Sequence, residues 1–240
     1  TMLLATIVFW SFLWVCLCLL LCARQLTTAP RWLAAAALAC GMRACVTLLP
    51  PWLGKGLSIL LSMLLIYGLH WVTPAEAGLQ RMQTKSGRVV VPVVLLVAAG
   101  LFLDAVVSRY GFRLLTTGEK LYYVLMPGLE EELFYRGVLL GILSRAFPKV
   151  VPLPGTYTSW GGVVGVVFFI LGHGLKFPVR LFELGHGTEL WQYVGAWLSP
   201  THFPLHTVAY HFAMGTLFLW VRERTNSCWA AVGTHCLLNG

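Results

Sequence analysis

The chain has 240 residues, of which 58% are apolar and 11% are charged, and its formal net charge is +8. Ordinary globular domains are about 45 to 50% apolar and 25% charged, so this composition excludes an ordinary soluble domain and indicates a polytopic membrane protein. The Lys and Arg residues lie singly or in pairs between apolar runs, which is typical of topology signals. We therefore expect a lipid bilayer around the chain and no nucleic-acid partner.

The sequence predicts one integral membrane domain over residues 1–240, with N-terminal helices in 1–118 and motif-bearing helices in 119–240. The seven cysteines are scattered without a metal-type CxxC pair, which favours free thiols. Apolar runs of about 20 residues are long enough to cross a bilayer. They predict eight helices over residues 2–23, 32–49, 57–72, 89–107, 119–143, 160–175, 205–221 and 228–240.

The fold class expected from these runs is an all-α polytopic bundle of about eight transmembrane helices. Run 2–23 exceeds the core of a signal peptide and has no basic residue before it, so we expect a retained first helix. The last run has only 13 residues; it is either partly submerged or continues past Gly240. Residues 73–88 are expected to form a solvated loop, and the amphiphilic residues 176–204 an interfacial or re-entrant segment.

An acidic triplet, Glu130 to Glu132, interrupts the fifth apolar run. Glu132 and Arg136 are four residues apart and share a helix face, so we expect them to pair, whereas Glu131 points about 100° away and is left available. An ionisable cluster at membrane depth is a functional-site hypothesis by default. The alternative is a structural ion pair, but it leaves Glu130 and Glu131 unexplained. Pro127 and Gly128 predict a kink just before the triplet.

Three further polar groups lie in apolar helices. His173 ends the sixth run, and His235 and Asn239 are four apart in the last. A buried carboxylate and a histidine can activate water, and a histidine with an asparagine can donate hydrogen bonds to an oxyanion. These residue types together predict hydrolysis inside a membrane without a serine or cysteine nucleophile.

Three spacings resemble a known family. Residues 131–136 fit EExxxR, residues 169–173 fit FxxxH and residues 235–239 fit HxxxN. In this order they resemble the CAAX protease and bacteriocin-processing family, which includes the type II CAAX prenyl endopeptidases. The resemblance covers residues 121–239 and implies a glutamic intramembrane protease with about eight helices around a cavity.

The resemblance also implies roles for individual residues. Glu131 would be the general base and His173 would help to position and activate the water. His235 and Asn239 would form the oxyanion hole. Glu132 and Arg136 would be a supporting pair, and the role of Glu130 is open. No metal or other cofactor is implied.

The function expected is therefore a multi-pass endopeptidase of a bacterial cell membrane that cleaves a membrane-associated protein or peptide near its C-terminus or membrane-proximal part. A prenylated CAAX tail, a bacteriocin or pheromone precursor and a C-terminal sorting signal all remain open as substrates.

Three other functions are weighed. A zinc-dependent membrane protease would use Glu and His ligands, although the sequence has no HExxH. A transporter would relay protons through buried Glu and His, although no inverted repeat is apparent. A non-catalytic immunity or scaffold protein of the same fold is the third. The irregularly spaced His186, His202, His206 and His211 are interpreted as cavity-lining or interfacial residues.

Overall fold

The computed structural model describes residues 30–46, 49–80, 84–107, 116–174 and 205–239. The predicted first helix and the predicted interfacial segment 176–204 lie outside these residues. The described chain is mostly helical, as expected. Its elements are helices α1 (Pro30–Val46), α2 (Pro51–Met63), α3 (Thr84–Val107), α4 (Thr117–Glu132), α5 (Leu140–Leu143), α6 (Trp160–Gly174), α7 (Leu205–Thr225) and α8 (Cys228–Asn239), and strands β1 (Lys149–Leu153) and β2 (Thr156–Ser159).

Most predicted helices are confirmed to within a few residues at each end. The exceptions are α2, which begins six residues before its predicted start at Leu57, and α3, whose first five residues, 84–88, belong to the predicted solvated loop. The Pro50–Pro51 pair ends the preceding apolar run, but Pro51 also occupies the first turn of α2. Proline is favoured there because a helix does not use the N–H groups of its first turn. A π-helical turn, Leu64–Gly68, extends α2.

A β-hairpin corrects the all-α prediction. Strands β1 and β2 pair antiparallel around a turn at Pro154 and Gly155. Gly155 has a φ of +69°, which a residue without a Cβ adopts at little cost. Thr158 Oγ1 donates to Glu223 Oε1 at 2.9 Å, and Lys149 pairs with the same carboxylate, so the hairpin is fixed to the end of α7.

Two described helical segments are long and apolar enough to cross a membrane, Pro51–Gly68 and Gly87–Val107. The second carries strongly exposed apolar side chains, such as Leu96 at 74% and Val107 at 71%. Such a surface is suited to contact with lipid.

The irregularity in the acidic helix lies after the triplet and not at the predicted kink. α4 continues through Pro127 to Glu132, and a buried π-helical segment, Leu133–Leu139, joins it to α5. Gly128 instead allows close packing, since an added Cβ would lie 2.6 Å from Cys236 Sγ and 3.1 Å from Cys236 N. α4 and α8 therefore approach each other closely where the motif residues lie.

Residues 73–80 of the predicted solvated loop are only partly solvated, because they pack against the α7–α8 junction. Ala77 is fully buried. The carbonyl of Gly78 accepts from Cys228 N at 2.7 Å, and the carbonyl of Glu76 accepts from Arg222 Nη2 at 2.8 Å. These bonds fix the start of α8, the helix that carries His235.

Candidate active site

The three consecutive glutamates at the end of α4 face three different neighbours. Glu130 and Glu132 are fully buried and Glu131 is 6% exposed. Successive side chains of a helix differ by about 100° in direction, so three consecutive side chains point to three different sides of the helix. Each carboxylate has its own set of partners, with Lys55 shared by Glu130 and Glu131, and the three perform different tasks.

Glu130 faces α1 and α2. Arg43 donates from Nε at 2.6 Å and from Nη2 at 3.1 Å, and Ser58 Oγ donates at 2.7 Å. Lys55 Nζ adds a contact of 2.9 Å. Arg43 is the main partner of Glu130, and its side chain therefore points into the helix bundle and not to the membrane surface.

Glu131 faces the cavity described below. Its Oε1 accepts from Lys55 Nζ at 2.6 Å, and its Oε2 lies 3.5 Å from His173 Nε2. As expected from its direction on the helix, Glu131 does not pair with Arg136; a cation from α2, Lys55, approaches it instead. Only one of its two oxygens is engaged by that cation.

Glu132 faces α7 and α8. The predicted ion pair with Arg136 forms, with Nη1 3.2 Å from Oε1. Arg136 is 2% exposed, and its Nη2 donates to the carbonyl of Gly215 at 2.8 Å. His235 Nδ1 lies 2.8 Å from the same Glu132 oxygen. Glu132 thus holds together one residue of its own helix segment and one of α8.

His173 is oriented by its own helix. Its Nδ1 lies 2.8 Å from the carbonyl of Phe169, one turn earlier in α6. A carbonyl only accepts, so the proton of the ring is on Nδ1 and Nε2 faces Glu131 as an acceptor when the ring is neutral. The ring of His211 stacks on His173 with centroids 4.4 Å apart.

His235 and Asn239 lie one turn apart on α8. The His235 ring stacks on Phe218 at a centroid distance of 4.4 Å and an interplanar angle of 14°. Because Nδ1 is bonded to the Glu132 carboxylate, only Nε2 can face a ligand. Asn239 is exposed, near the end of the described chain.

A cavity of about 470 Å³ brings the four predicted catalytic residues together. Its lining includes Glu131, His173, His235 and Asn239, whereas Glu132 and Arg136 are buried behind it. Much of the remaining wall is apolar or aromatic. This wall includes Tyr123, Pro127, Phe169, Tyr210, Met214, Phe218 and Leu238.

The interpretation of His211 as a cavity-lining residue is confirmed. His186 and His202 lie outside the described residues, as does the side chain of His206. Among the residues that the structure describes, no group of three or more His, Cys, Asp and Glu is arranged to hold a metal ion.

Sequence reasoning missed Lys55 and Arg43 as partners of the triplet. The signal was present in the charge balance, because three adjacent carboxylates have one basic residue, Arg136, within reach on their own helix. Two carboxylates buried in an apolar protein need cations from elsewhere. Arg43 and Lys55 are isolated cations in the α1 and α2 region, but their spacing to the triplet contains no regular pattern.

Comparison with known proteins identifies one family. The model of the Rce1-like type II CAAX prenyl endopeptidases matches residues 113–240, which is just over half of the chain. The match includes all four predicted catalytic residues, whereas Arg43 and Lys55 precede it. Neither the curated proteins nor the solved structures contain a match to the chain.

Proposed function

Because the chain belongs to the Rce1-like type II CAAX prenyl endopeptidases, a family of membrane proteases, we propose that it hydrolyses a peptide bond through water activated by Glu131. The bond lies near the C-terminus or membrane-proximal part of a membrane-associated substrate. The observation that supports this proposal best is the shared cavity of Glu131, His173, His235 and Asn239.

Water activation uses the two groups that face each other across 3.5 Å, Glu131 Oε2 and His173 Nε2. Both are acceptors when the carboxylate is ionised and the ring is neutral, so one water molecule donates a hydrogen bond to each. Its oxygen lone pair then points to the substrate carbonyl. Positioned general bases of this kind contribute about 10² to 10⁴-fold to a rate.

The hydrolysis needs no covalent enzyme intermediate. The water oxygen bonds to the carbonyl carbon as its proton moves to Glu131 Oε2. The tetrahedral intermediate collapses as the C–N bond breaks, and the same proton passes to the leaving amine. The products are a new amine and a new carboxylic acid, which gives its remaining proton to the solvent and becomes a carboxylate, and Glu131 returns to its ionised state.

His235 and Asn239 stabilise the oxyanion of the intermediate. The Asn239 amide donates as it stands. His235 already donates from Nδ1 to Glu132, so donation from Nε2 to an oxyanion requires a proton on both ring nitrogens. The negative charge of Glu132 would stabilise that imidazolium, so Glu132, which is paired with Arg136, would contribute to the oxyanion hole through His235. Each such donor is typically worth about 10² to 10³-fold in kcat.

The apolar and aromatic wall of the cavity favours an extended apolar segment or a lipid-modified tail as substrate. A prenylated CAAX tail fits this wall and the family name, so we propose it as the first substrate class to test. A multi-pass bundle of about eight helices, in a bacterial cell membrane, is part of the same proposal.

The test uses purified protein in liposomes with a farnesylated CAAX peptide and its unprenylated counterpart, and products are identified by mass spectrometry. The native protein is expected to cleave the farnesylated peptide after the modified cysteine, with no loss of rate in the presence of a chelator. Glu131→Gln should abolish cleavage, whereas Glu119→Gln, at the start of the same helix, should retain it. Native rates in a folded Glu131→Gln variant would refute the mechanism.

A further inference from the structure

Lys55 connects two of the three glutamates although it lies in a different helix. Its Nζ lies 2.9 Å from Glu130 Oε2 and 2.6 Å from Glu131 Oε1, and its side chain is 19% exposed. An ammonium group has three donors, and two are used here. Lys55 precedes the part of the chain that matches the family, residues 113–240.

The position of Lys55 is itself fixed by Glu130. That carboxylate is fully buried, and it is held by two bonds from Arg43 and one from Ser58. It therefore cannot follow Lys55 if the lysine moves. Arg43 and Lys55 also balance the charges of Glu130 and Glu131, so the four groups together are neutral.

Glu131, in contrast, is anchored on one side only. Oε1 is bonded to Lys55, while Oε2 is buried, accepts no hydrogen bond from any described residue and lies 3.5 Å from His173 Nε2. The terminal torsion of a glutamate has a broad energy profile, so the side chain alone does not fix the carboxylate plane. A contact to one oxygen is what determines where the other points.

We propose that Lys55 is a positioning residue for Glu131: it holds Oε1 so that Oε2 stays directed at His173 and the cavity. Glu130, whose role the family motif leaves open, holds Lys55 in place. This inference rests on the proposed function, in which Oε2 receives the proton of the water. Misplacement of a reacting group by about 1 Å costs on the order of 10²-fold in rate.

The kinetic test compares Lys55→Met with Lys55→Arg in liposomes, with a farnesylated CAAX peptide as the probe. Lys55→Met should lower kcat about 100-fold and change KM less than about threefold, because substrate binding does not use this contact. Lys55→Arg, which keeps a donor and the charge, should recover most of kcat. Lys149→Met removes a lysine from an ion pair in the hairpin and should leave kcat unchanged.

Lys55→Met also leaves a buried carboxylate without a balancing charge, so a second variant separates positioning from charge balance. Lys55→Met/Glu130→Gln restores a neutral cluster and should restore the thermal midpoint. Its kcat should stay about 100-fold low, because Oε1 of Glu131 still has no anchor. Native kcat in this double variant, or in Lys55→Met, would overturn the proposal.

If the native protein fails to cleave the peptide, that result counts against the proposed function alone. A structural measurement then still tests the role of Lys55. Crystal structures of the native protein and of Lys55→Met/Glu130→Gln give the distance from Glu131 Oε2 to His173 Nε2. The proposal predicts an increase of about 1 Å or more in the double variant. An unchanged distance would overturn it whatever the kinetics show.

Discussion

His235 Nδ1 lies 2.8 Å from Glu132 Oε1, and Arg136 Nη1 lies 3.2 Å from the same oxygen. The two adjacent glutamates therefore serve opposite sides of the cavity. Glu131 faces His173 on α6, and Glu132 holds His235 on α8 from behind. This division gives Glu131 and Glu132, the last two glutamates of the triplet, separate tasks at the cavity.

Removing either Glu132 or Arg136 alone is expected to destabilise the fold more than replacing both residues together. Arg136→Met leaves the Glu132 charge buried and the Gly215 carbonyl without its donor, so the loss should be about 3 to 5 kcal/mol. Glu132→Gln/Arg136→Met should lose much less than the sum of the two single variants. Thermal or denaturant unfolding in detergent measures this cycle, and additive losses would show that the two residues do not interact.

Asn239 is expected to affect turnover and not stability. Its side chain is exposed yet lines the cavity. Asn239→Ala should therefore lower kcat about 10² to 10³-fold while KM and the thermal midpoint change little. The control is Leu237→Ala, an exposed neighbour on the same helix that does not line the site cavity. A native kcat for Asn239→Ala would remove the asparagine from the oxyanion hole.

Gly128 is expected to set the distance between α4 and α8. In Gly128→Ala the added methyl group would lie 2.6 Å from Cys236 Sγ and 3.1 Å from Cys236 N, so the thiol must turn away and the α8 backbone must move by a few tenths of an ångström. Because His235 and Asn239 move with α8, kcat should fall about 10-fold or more, in line with the sensitivity of catalysis to misplacement.

Gly118→Ala is the matched control for this change. Gly118 lies in the same helix, and among the described residues no atom lies within 4 Å of its added Cβ. Its kcat should equal the native value. Equal losses in both variants would mean that the effect comes from the helix backbone and not from the contact with α8.

Glu76, which lies outside the membrane segments, is expected to make the stability of the protein depend on pH. Hydrogen bonds from Arg145 hold the pKa of Glu76 at about 2, below its ordinary value of 4.5, with further bonds from Thr73. A lowered folded-state pKa contributes stability above pH 4.5 that is lost as the pH falls from 4.5 towards 2. Over that range the thermal midpoint of the native protein should fall more steeply than that of Glu76→Gln.

The effect should be small, because the side chain of Glu76 is 34% exposed and salt screens the pair. High salt should therefore reduce the difference between the two proteins. Parallel midpoint curves at low salt would contradict a stabilising Glu76–Arg145 pair.

The helices and the contacts within a single helix could be predicted from short stretches of sequence. Hydropathy and proline positions located most helices, and a spacing of four placed Arg136 beside Glu132. The sequence also indicated that Glu131 and His173 share one cavity. Polar side chains in apolar helices face the interior of the bundle or a cavity, because exposure to lipid is costly.

Pairings between distant segments could not be predicted in the same way. Lys55 reaches the triplet because α2 packs beside α4, and Arg43 reaches it because α1 packs beside α2 and the π-helical segment that follows α4. The sequences around Arg43 and Lys55 contain no local pattern that indicates these neighbours. The β-hairpin around Pro154 could not be predicted, because prolines in a short stretch between two helices are equally typical of a turn without strands. The π-helical segment Leu133–Leu139 arises from packing, since all of its residues are buried.

The most direct test of the account compares the termini of membrane proteins, by mass spectrometry, in host cells that express either the native chain or Glu131→Ala at equal levels. The account predicts new protein termini, near C-terminal or membrane-proximal sites, that appear only with the native chain. Identical termini in the two cell lines, with both proteins folded and expressed, would contradict hydrolysis through Glu131 and would favour a non-catalytic or transport function.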